Sequence, residues 1–146
     1  MPIDVTSEFA AIHTEAAPRA IGPYSQAFAI SEGRMVFVSG QLGIDPLTAK
    51  MVRGGVAEQT QQIMHNLRAV LEAAGGSLRH VAKTTIYMKN LEDFATVNAV
   101  YASYLEAPYP ARGTVEVARL PMDALVEIEA IAVVPANGTP AAVATT

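Results

Sequence analysis

Alternation of hydrophobic and polar residues divides the chain into five strands and two helices, in the order ββαβαββ. A helix is predicted after Ala57 by the apolar stripe Ile63, Leu67, Val70, Leu71 and Ala74, and Gly75-Gly76 predicts its end. A second helix is predicted to begin at Asn90, with the buried stripe Phe94, Val97, Tyr101, Tyr104 and Leu105. Short apolar or alternating segments predict strands near residues 26–30, 35–38, 81–89, 114–118 and 125–134.

Three of these strands allow more specific predictions about their faces. The continuous apolar run from Met35 to Val38 predicts a strand that is buried on both faces. In the strand at 81–89, alternation assigns one face to Ala82, Thr84, Ile86 and Met88. The last strand has an apolar core face, whereas its other face carries two glutamates and then two aliphatic residues, Glu127, Glu129, Ile131 and Val133. That mixed face predicts a subunit interface with a polar pocket at its edge.

Grouped strands with two interposed helices predict an α+β fold, in which a single sheet carries both helices on one face. The length of the chain suits one domain, which we expect over residues 17–135. Residues 1–16 lack periodicity and predict a flexible lead-in. Residues 136–146 are small, polar and turn-rich, and they predict a disordered tail.

Composition adds an expectation about assembly and partners. Hydrophobic residues make up 51% of the chain and charged residues 16%, which leaves apolar surface beyond what one core needs and predicts a homo-oligomer. The net charge is −4 and no run of Lys or Arg occurs, which argues against nucleic-acid binding. No secretory signal and no apolar run of membrane-spanning length are present, so we expect a cytoplasmic protein without a membrane partner.

Candidate chemistry is narrowed by the residues that are missing. The chain has no cysteine, which excludes disulfides, thiolate nucleophiles and cysteine-based metal sites. Its three histidines, His13, His65 and His80, show no metal-binding spacing, and no glycine-rich phosphate loop occurs. We therefore expect no metal and no cofactor. One arginine, one strand carboxylate and several hydrogen-bonding turns remain as candidates.

Six short motifs, in order, cover most of residues 17–135. They read AIGPYSQ at 20–26, SGQ at 39–41, KTTIY at 83–87, DFATVN at 93–98, PAR at 110–112 with VEVARLP at 115–121, and EIEAIAV at 127–133. Together they resemble the RidA (YjgF) family. The resemblance implies a chorismate-mutase-like fold, and a homotrimer with a central barrel and pockets between subunits. It also implies cofactor-free hydrolysis of reactive enamines and 2-iminoacids, such as 2-iminobutanoate and 2-iminopropanoate, to 2-oxoacids and ammonia.

The resemblance also implies roles for individual residues. Arg112 would bind the substrate carboxylate through its planar fork of donors, and Glu127 would position the attacking water. Substrate-binding roles fall on Tyr24, Ser39, Gly40, Asn98 and Thr114. Without the resemblance, the alternative for Arg112 is a surface ion pair, against which the flanking Pro110-Ala111 and Gly113 favour a pocket, and Glu127 equally fits a solvated strand face.

Two departures from the family pattern concern the pocket. Thr114 occupies a position that is often cysteine in the family, and the segment from Tyr101 to Arg112 is shorter than in the archetype, which bears on substrate size. Two other functions stay open. One is a regulatory trimer that binds a small molecule without turnover, and the other is an RNA-cleaving translation inhibitor, which the acidic charge disfavours.

Overall fold

The computed structural model describes residues 9–136, which form eight strands and two α-helices. The strands are β1 (Phe9–Ile12), β2 (Ala27–Ile30), β3 (Arg34–Gln41), β4 (Ile44–Asp45), β5 (Lys50–Met51), β6 (Val81–Met88), β7 (Ala111–Glu116) and β8 (Val126–Val134). The helices are α1 (Val56–Ala73) and α2 (Phe94–Ser103). None of the helices in this range is long and apolar enough to cross a membrane.

A four-stranded sheet with the strand order β3-β8-β6-β7 forms the centre of the molecule. Antiparallel pairing joins β3 to β8 and β8 to β6, whereas β6 and β7 run parallel. The helix α2 lies between β6 and β7 in the sequence and provides the crossover that two parallel strands require. The predicted α+β class is therefore confirmed, and its sheet is mixed.

Both helices pack on one face of this sheet, as predicted. The core between them contains fully buried side chains from both layers, including Ile63, Leu67, Leu71, Ile86, Met88, Tyr101 and Ile128. Gly75, at a φ of 87°, ends α1: its amide donates to Glu72 O at 3.1 Å, and the Gly76 amide donates to Leu71 O at 2.8 Å. The Asn90 side chain accepts a hydrogen bond from the Glu92 amide at 2.9 Å, which confirms the predicted start of the second helical segment.

The other face of the sheet, which we call the open face, has no helix over it in the described chain. Three large hydrophobic side chains are exposed there: Phe37, which is 70% accessible, and Met35, which is 58% accessible, lie on β3, and Val115 lies on β7 at the opposite edge of the sheet. The prediction that Met35 to Val38 is buried on both faces is therefore wrong for the single chain, because no described element covers this side.

The observed faces of two elements differ from the predicted ones. A register shift between Val81 and Lys83 puts Val81 into the core and Ala82 beside Ile131 and Val133 on the open face, so the prediction that Ala82 shares a face with Thr84, Ile86 and Met88 is wrong. In α1 the buried stripe includes Gln59 and Thr60, whereas the predicted stripe residue Val70 is 39% exposed.

Several short strands were not predicted or fall outside the predicted sheet. β2 pairs with β1 in a separate two-stranded sheet, so Phe9–Ile12 is a strand rather than part of a flexible lead-in, and the expectation of one single sheet is wrong. β4 and β5 form a hairpin in what we expected to be an irregular loop. Elements of two to four residues are too short to show a period. The predictions for residues 1–8 and 137–146 lie outside the described residues.

Candidate active site

Arg112 is the second residue of β7, and its side chain lies on the helix face of the sheet. Its Nη1 donates a hydrogen bond of 2.5 Å to Oδ1 of Asn98 on α2. Three aromatic rings surround the guanidinium: its Cζ lies 5.2 Å from the ring centre of Tyr24, 5.4 Å from that of Phe94 and 5.5 Å from that of Tyr101. We call Arg112 and these four neighbours the arginine cluster.

Helix and turn geometry explain how the cluster assembles. Phe94, Asn98 and Tyr101 are separated by four and three residues, so they lie on one face of α2. Tyr24 comes from the turn before β2, where its hydroxyl accepts a hydrogen bond from the Ile21 amide at 3.3 Å.

Two hydrogen bonds connect that turn to the beginning of β7. The Ser25 amide donates to Pro110 O at 3.2 Å, and the Ser25 hydroxyl donates to Tyr109 O. The turn is thereby held next to the strand that carries Arg112.

The charge of Arg112 is surrounded without being neutralised. Burial lowers the pKa of its guanidinium, which nevertheless stays protonated at neutral pH. Among residues 9–136, no carboxylate lies within 4.0 Å of it. Aromatic faces stabilise a cation by about 0.5–2 kcal/mol each while leaving its charge intact. The arginine cluster is therefore a half-buried cation with donors that remain available to an anion.

Phe94 and Tyr101 were predicted as core residues only, and their contact with Arg112 was missed. Tyr101 is fully buried and exchanges a 2.8 Å hydrogen bond with the hydroxyl of Thr84. Burial raises the pKa of Tyr101, so its phenol stays neutral beside the guanidinium. The sequence feature that could have indicated this contact is Asn98, a polar residue inside an otherwise apolar helical stripe.

Thr114 lies two residues after Arg112 on β7, on the same face of the sheet. Its hydroxyl oxygen is buried and has no hydrogen-bond partner within the described part of the chain. Burying a hydroxyl without a hydrogen-bond partner lowers the stability of a protein by on the order of 1–3 kcal/mol. Thr114 is therefore a polar group near Arg112 that can still form a hydrogen bond.

Glu127 lies on the open face of β8. No protein group in residues 9–136 donates a hydrogen bond to it. Its neighbour Glu129, by contrast, accepts a 2.8 Å hydrogen bond from the Tyr87 hydroxyl, which raises the pKa of Tyr87. A Cβ placed on Gly40 would lie 2.9 Å from Cδ of Glu127, so the glutamate side chain lies directly against the backbone of Gly40.

Ser39 belongs to the same open face. It lines a cavity of about 370 Å³ together with Phe37, Lys83, Thr85 and Glu129. Across the described residues, no group of three or more His, Asp or Glu side chains is arranged to hold a metal ion.

The candidate residues thus fall into two groups on opposite faces of the sheet. Arg112 lies opposite Thr84 in the β6–β7 pair, on the helix side, whereas Glu127 lies opposite Tyr87 in the β6–β8 pair, on the open side. Thr84 and Tyr87 are three residues apart, about 10 Å along the strand. Tyr24 and Asn98 join Arg112, and Ser39 and Gly40 join Glu127. Within one chain, Arg112 and Glu127 do not face a common space.

Comparison with known proteins agrees with this architecture. A family model described as Endoribonuclease L-PSP matches residues 14–134. A RutC family protein of Pyrococcus horikoshii is 54% identical over 121 residues, which are 83% of this chain and 94% of that protein. The 2-iminobutanoate/2-iminopropanoate deaminase of Bos taurus is 48% identical over 122 residues, 84% of this chain and 88% of that protein.

Among solved structures, Escherichia coli TdcF with bound serine is 43% identical. It matches 85% of this chain and 98% of its own with a TM-score of 0.66. The matched family model covers the domain that carries both groups of candidate residues. The relatives named above resemble this chain in sequence, and the solved structure resembles it in fold as well. The chain therefore belongs to the RidA (YjgF) family, whose model is described as Endoribonuclease L-PSP.

Proposed function

We propose that this protein is a 2-iminobutanoate/2-iminopropanoate deaminase, which hydrolyses 2-iminoacids to 2-oxoacids and ammonia. The observation that carries this proposal is the half-buried, aromatic-lined Arg112 without a carboxylate partner. A substrate carboxylate supplies the missing anion, and a guanidinium binds it through two parallel hydrogen bonds. Relatives named as deaminases of these imines, and one solved with bound serine, which also carries a carboxylate, support this substrate class.

The reaction needs a positioned water and no cofactor. Arg112 holds the carboxylate next to the C=N carbon, while Asn98 orients the guanidinium through Nη1. Glu127 accepts a proton from a water molecule as that water adds to the imine carbon, and it returns this proton to the nitrogen, which gives a carbinolamine. Glu127 then accepts the hydroxyl proton of the carbinolamine and passes it to the amino nitrogen, so that the C–N bond breaks, the carbonyl forms and ammonia leaves. Tyr24, Ser39, Gly40 and Thr114 complete the substrate-binding surface.

Because Arg112 and Glu127 lie on opposite faces of one chain, this mechanism requires a second copy of the chain. We therefore include in the proposal a homotrimer with a central barrel, in which the arginine cluster of one subunit faces the Glu127 of the next. The exposed side chains Met35 and Phe37 on the open face support burial in such an assembly.

The wild-type protein tests the activity directly. A threonine dehydratase generates 2-iminobutanoate in the assay, and we expect the protein to accelerate the appearance of 2-oxobutanoate well above the rate in buffer. No acceleration would eliminate the deaminase. Binding of serine without acceleration would identify a binding protein instead, and cleavage of added RNA by the same preparation would favour the ribonuclease function.

Replacing Phe37 with aspartate tests the assembly. Sedimentation should show wild-type particles of about three times the 15.4 kDa chain mass, whereas Phe37→Asp should shift the protein towards monomer because a charge is costly to bury in an apolar interface. Leu47→Asp is the matched control, since Leu47 is 94% exposed on the β4–β5 hairpin and not on the open face. A wild-type monomer at micromolar concentration would contradict the shared site.

A further inference from the structure

The strand β3 carries a bulge at Ser39 and Gly40, beside the part of β8 that contains Glu127. Val38 pairs with Ala130, and Gln41 pairs with Ile128. Two residues of β3, Ser39 and Gly40, therefore lie opposite one residue of β8, Glu129. Such a bulge interrupts the regular alternation of faces along the strand.

The bulge changes the direction in which position 40 would carry a side chain. Val38 is buried on the helix face, and regular alternation would place residue 40 on the same face. Instead, a Cβ built on Gly40 meets the side chain of Glu127, which extends from β8 on the open face. The two nearest carbons of that side chain, Cδ and Cγ, would lie only 2.9 and 3.3 Å away.

The Glu127 carboxyl therefore occupies the space that a side chain at position 40 would fill. Glutamate has three rotatable side-chain bonds, and its carboxylate receives no hydrogen bond from residues 9–136 that would fix its direction. Contact with the backbone of the bulge restricts these rotations in place of a hydrogen bond. Glu129, two residues further on, is held differently, by the hydroxyl of Tyr87.

We infer that Gly40 and its bulge are a positioning element for Glu127, which hold the carboxylate in the orientation that the hydrolytic step uses. This inference rests on the proposed deaminase function and extends it to a residue that does not itself exchange a proton. Any side chain at position 40 must displace the carboxylate from this space, because the atoms that it meets belong to the functional end of the glutamate.

Gly40→Ala tests the inference by kinetics. We expect kcat for 2-iminobutanoate to fall about tenfold and KM to rise less, because Arg112 binds the substrate carboxylate and Gly40 contacts the substrate only through its backbone, which Gly40→Ala retains. In the Glu127→Gln background, Gly40→Ala should cause almost no further loss. Gly55→Ala is the matched control, since a Cβ there meets nothing closer than 3.9 Å. Wild-type kcat in Gly40→Ala, or an equal loss in both backgrounds, would overturn the inference.

A second measurement needs no change at Gly40 and covers the case in which the variant does not fold. In the folded protein, Glu127→Gln should shift the Gly40 amide resonance from its wild-type position, because the carboxylate lies against the backbone of Gly40. An unchanged resonance would remove the contact and the inference with it. If the wild type accelerates imine hydrolysis and this contact is absent, only the role of Gly40 fails. If the contact is present but the wild type is inactive, the proposed deaminase function is wrong, and the inferred role of Gly40, which rests on that function, is lost with it.

Discussion

Replacing Arg112 with alanine should lower kcat/KM for 2-iminobutanoate about a hundredfold. Truncating one partner of a partly buried, charge-assisted pair costs about 3 kcal/mol, which corresponds to roughly this factor. The substrate carboxylate keeps its charge throughout the reaction, so most of the loss should be a higher KM and a smaller part a lower kcat. Steady-state kinetics, corrected for spontaneous hydrolysis, measure both constants.

Arg112→Lys separates charge from geometry. An ammonium group keeps the positive charge but cannot bind a carboxylate through two parallel hydrogen bonds or keep the planar contact with three aromatic rings. We expect Arg112→Lys to lower kcat/KM for 2-iminobutanoate at least tenfold. Arg119→Ala serves as the control, because Arg119 is exposed and paired with Asp123. If Arg112→Ala retained wild-type kcat/KM, the arginine cluster would have no part in substrate binding.

Glu127→Gln should lower kcat about a hundredfold while leaving KM close to that of the wild type. Glutamine keeps the size of the side chain but cannot accept the proton of the water, and general base catalysis contributes about 10²–10⁴-fold. The lower end applies because activated imines react with water unaided. Glu129→Gln is the matched control on the same strand and face, since Glu129 is bonded to Tyr87. It should change kcat far less, and equal losses in both variants would contradict a specific role for Glu127.

Mixed assemblies decide whether the two residues act across subunits. Chains with Arg112→Ala and chains with Glu127→Gln are each expected to be nearly inactive. Co-expressed in equal amounts, they should recover about one quarter of the wild-type sites, because about three quarters of the trimers are mixed and each has one intact interface of three. No recovery from correctly mixed trimers would mean that both residues belong to the same chain's site, or that no shared site exists.

Periodicity was sufficient for the larger elements of the fold and insufficient for the smaller ones. The eighteen residues of α1 and the nine of β8 provide several periods each, and both elements occur close to their predicted bounds. The strand β7 begins at Ala111 rather than Thr114, since its first residues are defined by parallel pairing with β6 and not by alternation. Bulges are equally hidden, because one inserted residue, as at Ala82, reverses the faces that alternation assigns.

The chemistry of the site was more accessible from the sequence than its geometry. The motifs named Arg112, Tyr24 and Asn98, which the fold brings together, and alternation placed Glu127 on the face of the last strand opposite its core face, but the sequence did not show that Arg112 lies on the helix face. Face assignment depends on strand order and register, and these are properties of pairings between distant segments. The contacts of Phe94 and Tyr101 with Arg112 were missed because the apolar stripe of a helix does not show which side chains of other elements pack against it.

The hydrogen bonds between Ser25 and the Tyr109–Pro110 segment have a consequence for how the protein matures. They join residues 84 and 85 positions apart in the chain, and the arginine cluster depends on this closure. Contacts of such sequence separation form late in folding, since closing a long loop costs entropy before any packing compensates for it. A partly folded chain can therefore contain both helices and still lack the cluster. During refolding, recovery of helical circular dichroism should precede recovery of the anion site.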